Sequence, residues 1–330
     1  MRAYKQKGGW NMKFYEEIMV DKRFKELVTD YLSDIVDRNP YQDPDRLKRN
    51  SGSQFYKDYE AFLNKWSENE NRYKYQTKGP DCIKDSECDI LLRTDQFGFS
   101  FAGKTAYDSR YPYGLYLQLI QSGNMSSDNR KKHIEFIAEC VNNTRTLGGA
   151  FVWPIAQVWG KYLSRYNTVR GVGSYIEDRI DLTLWEVKCF YQIYEKLPEK
   201  TYDAFREEYD NDETYKNNIL FHYPKFKDES YEDEYQAMYK FLAEFSTFDN
   251  YAKFFCFEGN FVQEGKIVDI INSVVSKRNI KYLEERKNID TNKKEIQSIT
   301  KIEDLHHVLE NVSSLILKRS KDMKGILNDT

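Results

Sequence analysis

The sequence has few of the residues that mark a metal centre or a disulfide framework. Its 330 residues include five cysteines and four histidines. Cys82 and Cys88 are close in sequence, but no second close pair and no neighbouring histidine accompanies them. A zinc site needs closely spaced cysteine and histidine ligands. The sequence therefore predicts reduced thiols and assigns no metal-binding residue, and it leaves the cofactor unknown.

Long apolar runs are also absent. No stretch approaches the roughly 20 apolar residues that a membrane-spanning helix needs. The N-terminus lacks the apolar central region of a signal peptide, so residues 1–11 are predicted to be a leader or a flexible terminus, with Met12 as an alternative start. These absences predict a cytoplasmic protein with no membrane partner.

No charge of one sign dominates, because 50 basic residues face 53 acidic ones. A dedicated nucleic-acid-binding domain usually has a basic excess, so any such surface here would be a local patch. What the chain does have is aromatic residues, with 26 Tyr and 20 Phe. Disordered chains are poor in aromatics, and the composition therefore favours a folded protein over most of its length.

The spacing of apolar residues predicts a mostly helical α+β fold: a small sheet with packed helices and a C-terminal amphipathic helix. One or two short strands are expected within 89–107 and another at 150–153, and a short helix is expected after Pro198. Longer helices are predicted at 12–37, 53–67, 126–141, 174–194, 233–246, 249–256, 266–286 and 299–326. We expect one globular domain over 12–288, followed by a linker and the C-terminal helix over 289–330.

The C-terminal helix carries an apolar seam at alternating spacings of three and four residues, broken once by Arg319. A seam of this kind is typical of a helix that packs on another helix. It fits a helix that packs on its own domain, which is the commoner case, and it also fits a homodimer formed through residues 299–326. The sequence does not choose between these two arrangements.

The richest polar cluster lies between Asn167 and Glu186. Its predicted ligand-binding residues are Asn167, Arg170, Gly171, Gly173 and Arg179, and its predicted catalytic residues are Asp178, Asp181 and Glu186. Glycines allow a ligand to approach the backbone, free N–H groups at a helix start attract anions, and arginine forks onto phosphate. Carboxylates can hold a metal or act as a base.

A bland alternative fits the same cluster. An acidic residue in a first turn stabilises a helix wherever the helix sits, and Arg179 with Glu186 would make a buried brace. The loop before the helix lacks the lysine of a phosphate-binding loop and the third glycine of a dinucleotide-binding fingerprint. The histidines are not at metal-binding spacing, and His306 and His307 are predicted to be solvated or part of the core.

Several motifs resemble a bacterial family of unknown function. They are Leu147-Gly148-Gly149 with Trp153-Pro154, Tyr166-Asn167 with Arg170-Gly171, the run from Ile176 to Leu184, and the aromatic segment 245–255. The resemblance covers about residues 40–285. It implies that Asn167, Arg170, Asp178, Arg179 and Asp181 act as a unit, but it implies no activity.

Two hypotheses follow. In the first, the protein binds a phosphate-bearing ligand, a nucleotide or nucleic acid, at the Asn167–Glu186 cluster, in a role such as stress response or phage defence. In the second, the protein is not an enzyme, and its C-terminal helix recruits a partner or a second copy. The residues alone do not decide whether the protein is an enzyme.

Overall fold

A computed structural model describes a little over half of the chain. The described residues are 54–65, 67, 72–75, 90–96, 112–144, 146–154, 157–158, 161–162, 180–211, 232–270, 282–283 and 299–328. The predicted leader 1–11, the predicted helix 12–37 and most of the predicted linker lie outside these residues.

Helices make up most of the described chain. They are α1 (Gln54–Asn64), α2 (Pro112–Ser122), α3 (Ser127–Thr144), α4 (Ile180–Tyr194), α5 (Tyr202–Asn211), α6 (Glu232–Ala243), α7 (Phe248–Phe254) and α8 (Ile302–Asn328), with a short 3-10 turn at Leu147–Gly149. Each α-helix contributes apolar side chains to one hydrophobic core. The predicted mostly helical α+β class is confirmed. No described helix is both long enough and apolar enough to cross a membrane.

The strands among the described residues are short and form three small sheets. They are β1 (Tyr73–Tyr75), β2 (Ile90–Gln96), β3 (Ala150–Pro154), β4 (Gln157–Val158), β5 (Lys161–Tyr162), β6 (Val262–Gln263), β7 (Lys266–Val268) and β8 (Tyr282–Leu283). In the first sheet, β2 lies between a parallel β1 and an antiparallel β3. A strand predicted within 89–107 is therefore confirmed as β2, and the strand predicted at 150–153 is confirmed as β3.

The helix predicted over 266–286 is wrong at both of its described ends. Lys266–Val268 is strand β7, and Tyr282–Leu283 is strand β8, which pairs with it. A two-residue turn at Glu264 and Gly265 joins β6 to β7, and both residues have positive φ, 52° and 72°. Such a turn matches the twist of a β-hairpin, and it overrides the helical spacing of the apolar residues that follow.

Helix α8 lies against its own chain. Its buried residues include Leu305, Leu309, Val312 and Ile316, which belong to the predicted seam. The helix contacts α1, α2, α3 and the 3-10 turn. The seam is therefore satisfied within one molecule, which is the first of the two arrangements that the sequence allows.

Arg319, which breaks the apolar seam, is fully buried. Its Nε donates to the carbonyl oxygen of Phe255 at 2.7 Å, and its Nη1 donates to that of Gly148 at 2.8 Å. The guanidinium carbon lies 3.8 Å from the centre of the Phe257 ring. The flat, weakly hydrated guanidinium suits both contacts. Arg319 thus joins α8 to two segments distant in sequence.

Gly148 makes this close approach possible. A Cβ added there would lie 1.9 Å from the carbonyl oxygen of Ile316 and 2.6 Å from the amide nitrogen of Ser320. Both neighbours are backbone atoms of α8, so neither can turn aside as a flexible side chain would. Only glycine allows the 3-10 turn to pack directly on the helix backbone.

The Gly148→Ala variant is expected to lower the free energy of unfolding by roughly 3 kcal/mol, because the new methyl group overlaps rigid backbone. Urea denaturation followed by circular dichroism measures the change. Gly325→Ala in α8 is the matched control, since nothing lies within 4 Å of its added Cβ. The control should gain about 0.5–1 kcal/mol from helix propensity. Equal stability of the two variants would contradict this account of the contact.

Replacing Arg319 by methionine should cost about 3 kcal/mol, because two buried carbonyl groups lose a charged donor. Lys318→Met is the control on the next residue. Lys318 is exposed, and its ammonium donates to the carbonyl oxygen of Gly259 at 2.6 Å. Its loss should change stability by no more than about 0.5 kcal/mol. If both variants unfold at the same urea concentration, Arg319 is not an anchor.

Candidate functional site

Helix α4 carries three buried polar side chains in its first two turns. Asp181 and Glu186 are fully inaccessible to solvent, and Thr183 is 1% exposed. The helix forms because its apolar residues, among them Leu184 and Val187, recur at helical spacing and enter the core. The polar residues are therefore enclosed by the same packing that holds the helix.

The Asp181 carboxylate ties the start of α4 to the chain that follows β7. Its Oδ2 accepts a hydrogen bond from the Ile270 amide at 3.3 Å. A carboxylate in a first helical turn also interacts favourably with the helix dipole. Enclosed charges are costly unless they are paired, and none of Asp181, Thr183 and Glu186 is without a partner. These contacts make the first turns of α4 a fixed part of the core.

The structure reaches only part of the site predicted from the sequence. Asn167, Arg170, Gly171, Gly173, Asp178 and Arg179 lie outside the described residues. Asp181 and Glu186 are described, and both lie in packed interior. Their burial favours the bracing role for these two residues. Their catalytic role stays a prediction.

A second polar cluster was not predicted from the sequence. We call Tyr116, His133 and His306 the tyrosine–histidine cluster. The Tyr116 hydroxyl lies 2.6 Å from Nδ1 of His133 and 2.8 Å from Nδ1 of His306. The His306 ring also stacks on Phe136, with 3.7 Å between ring centres. The cluster joins α2, α3 and α8 at one point.

The environment favours the neutral forms of these three groups. Burial is the main cause that lowers the pKa of His133 and of His306, and the nearby carboxylates of Glu303 and Glu310 oppose that effect. Burial also raises the pKa of the Tyr116 hydroxyl far above its usual value. At neutral pH, two uncharged imidazoles therefore meet one protonated phenol.

No sequence signal could have found this cluster. His306 lies 190 residues from Tyr116, and only the packing of α8 on α2 brings them together. The sequence predicts a solvated or core role for His306, and in the structure His306 is half-buried and has Tyr116 as a polar partner. His307, the next residue, is exposed, which agrees with the solvated role that was one of the two predicted for it.

Metal ligands are not grouped in the part of the chain that the structure describes. No three His, Cys, Asp or Glu side chains there could hold a metal ion. Cys140, Cys189 and Cys256 are buried free thiols. Burial raises the pKa of Cys140 to about 12, which keeps that thiol protonated and unreactive. The described cysteines therefore behave as core residues.

Comparison with known proteins links part of the chain to a family whose function is unknown. Residues 116–222 match the model of a family of unknown function, DUF6994. The match spans about a third of the chain and lies within the predicted extent of the resemblance. It includes Tyr116, His133 and the whole Asn167–Glu186 cluster, and it ends before His306. The predicted resemblance to a family of unknown function is confirmed. No curated protein and no solved structure matched the chain.

The lowered pKa values of His133 and His306 predict an acid-sensitive fold. As the pH falls, the unfolded chain binds protons at these residues near pH 6.5, whereas the folded chain binds them only at a lower pH. The stability that the two neutral histidines contribute is therefore fully present above pH 6.5 and is lost as the pH falls below that value. Melting temperatures measured from pH 8 to pH 5.5 should fall more steeply for the wild type than for a His133→Gln, His306→Gln double variant. Parallel curves would contradict the assignment.

Proposed function

We propose that the protein binds a phosphate-bearing ligand, a nucleotide or a nucleic acid, through the segment just before α4. The proposed contacts are Asn167, Arg170, Gly171, Gly173 and Arg179. Arginine offers two parallel donors to a phosphate, and asparagine adds a neutral donor. Glycines allow the backbone N–H groups to approach the ligand. This set of residue types suits an anion better than it suits an apolar ligand.

The observation that supports the proposal is the fixed start of α4. Asp181 is buried and bonded to the Ile270 amide, and Glu186 is buried one turn further along. A helix that is anchored in the core gives the residues before it a rigid base. Binding then costs less conformational entropy than it would on a mobile base. In this proposal Asp181 and Glu186 support the site, and Asp178 is the carboxylate available for acid–base or metal chemistry.

The alternative function uses the C-terminal helix to recruit a second copy or a partner. The seam proposed for that contact already packs on α1, α2 and α3 of the same molecule. Leu317 is the one large apolar residue that is well exposed in the described part of the chain. A dimer formed through the seam would have to withdraw Arg319 from two buried carbonyl groups. The ligand-binding proposal requires no such rearrangement, and we therefore place it first.

A thermal-shift titration with inorganic tripolyphosphate, ATP and a single-stranded oligonucleotide tests the proposal. At about 100 times Kd, a ligand that binds only the folded state should raise the melting temperature of the wild type by roughly 4 °C. Arg170→Ala and Arg179→Ala should abolish the shift. Lys253→Ala is the control, because it removes an exposed positive charge from α7.

The melting temperatures without ligand separate binding from bracing. If Arg170→Ala and Arg179→Ala melt within about 2 °C of the wild type but lose the shift, the arginines contact the ligand. A loss of about 3–5 kcal/mol in Arg179→Ala alone is the signature of a broken buried pair, and it would move Arg179 to the brace. A wild type that responds to none of the three probes ends the proposal.

A further inference from the structure

The number of protons available in the tyrosine–histidine cluster limits how its three side chains can hydrogen-bond to one another. A tyrosine hydroxyl carries one proton to donate, and its oxygen can accept. Two imidazole nitrogens, Nδ1 of His133 and Nδ1 of His306, both lie within hydrogen-bond distance of that hydroxyl. If both rings are neutral, one Nδ1 must accept the tyrosine proton and the other must donate its own.

The two imidazoles must therefore be opposite tautomers. The ring whose Nδ1 accepts from Tyr116 carries its proton on Nε2. The ring whose Nδ1 donates to Tyr116 has a bare Nε2 with a lone pair. One Nε2 is thus a proton donor and the other is a proton acceptor. The two roles exchange only if each ring also moves its own proton between Nδ1 and Nε2.

The Nε2 atoms are the free ends of the cluster. In each ring, Nε2 lies across from the nitrogen that bonds Tyr116. Tyr116 is fully buried, but His133 and His306 are both partly exposed to solvent. Orientation of an imidazole by a hydrogen bond to one nitrogen is the arrangement that prepares the other nitrogen for chemistry. Here two rings are oriented by one buried hydroxyl.

We infer that Tyr116, His133 and His306, none of which belongs to the Asn167–Glu186 stretch of the sequence, form an acid–base site that moves a proton between two atoms of an uncharged polar ligand. The carboxylates of Glu303 and Glu310 lie close enough to act on the two imidazoles. The two rings are themselves uncharged, so the cluster offers no positive charge of its own to a phosphate. An uncharged ligand that isomerises by proton transfer, such as a carbonyl compound, suits both the charges and the paired ends.

The proton transfer through the cluster balances without a further reactant. The bare Nε2 takes a proton from one ligand atom, and that ring becomes an imidazolium. Its Nδ1 proton passes to the Tyr116 oxygen while the phenolic proton passes to Nδ1 of the other ring. The second ring, now an imidazolium, returns its Nε2 proton to another ligand atom. The ligand has then lost one proton and gained one, and the two rings have exchanged tautomers.

Nitrogen NMR of protein labelled with ¹⁵N-histidine tests the tautomers. Long-range couplings from the ring protons report the fraction of each ring that carries its proton on Nδ1. The two fractions for His133 and His306 should add up to one proton at pH 8, whether the roles are fixed or exchange rapidly. In Tyr116→Phe both rings should shift toward the Nε2–H form that free imidazole prefers, and the summed fraction should fall by at least half. Two rings in the Nε2–H form in the wild type would overturn the inference.

Carbethoxylation by diethyl pyrocarbonate tests whether a ligand can reach the free ends, because the reagent attacks a bare imidazole nitrogen. Exposed His307, beside His306 on α8, is the internal standard. Mass spectrometry should find that His133 or His306 is modified at a rate within about tenfold of the rate at His307. This range allows for the partial burial of the two cluster histidines. The histidines of a merely structural network would be protected from the reagent. Complete modification of His307 with neither cluster histidine modified would overturn the inference. Both measurements use the wild-type chain, so they decide the matter even if Tyr116→Phe folds poorly.

Discussion

One buried guanidinium joins three distant segments of the described part of this protein. Arg319 comes from α8 and reaches carbonyl groups of Gly148 and Phe255, which lie 171 and 64 residues away in the chain. Carbonyl groups at turns have no partner within regular structure, so a charged donor with a flat fork satisfies two of them at once. The Phe257 ring covers the guanidinium and supplies an attractive surface in place of water. The position of α8 over the core follows from these contacts.

Neighbouring contacts extend this anchor along one side of α8. The Asn260 side chain donates to Asp322 at 2.9 Å and to the carbonyl oxygen of Cys256 at 3.0 Å. Nearer the start of α8, Asn143 of α3 donates to Ser313 at 2.8 Å. The helix is therefore held by polar bonds at defined points as well as by apolar contact. Apolar contact alone tolerates sliding, whereas directional bonds fix the register of a helix.

The sequence predicted the elements well where local spacing decides them. The helices around residues 54–64, 127–144, 232–243 and 302–328 follow from their apolar spacing, and the structure contains them. It failed where a turn or a distant partner decides. A helix was predicted over 266–286, but Glu264 and Gly265 have positive φ values and form the turn of a β-hairpin there. From the sequence, Arg319 was interpreted as a break in the apolar seam. The residues next to it in the chain do not reveal that it donates to two distant carbonyl groups.

The candidate sites show the same division between local and distant information. The Asn167–Glu186 cluster could be found because its residues are close together in the chain. The buried brace proposed for Glu186 was one of two sequence alternatives, but the burial of Asp181 was not foreseen, because it depends on packing around α4 and on the amide of Ile270. The tyrosine–histidine cluster is invisible in the sequence, since its members come from three helices. Its geometry exists only once α8 is in place.

The order of synthesis gives the long-range anchor a kinetic consequence. Helix α8 follows every element that it contacts, so the ribosome delivers α1, α2, α3 and the 3-10 turn before the helix that covers them. Until then, Leu147 and the apolar faces of those helices have no partner from α8. Contacts that join residues so far apart form late and slow the folding of a chain. The nascent protein thus passes through a stage with exposed apolar surface, which is the stage at which chaperones bind and aggregation begins.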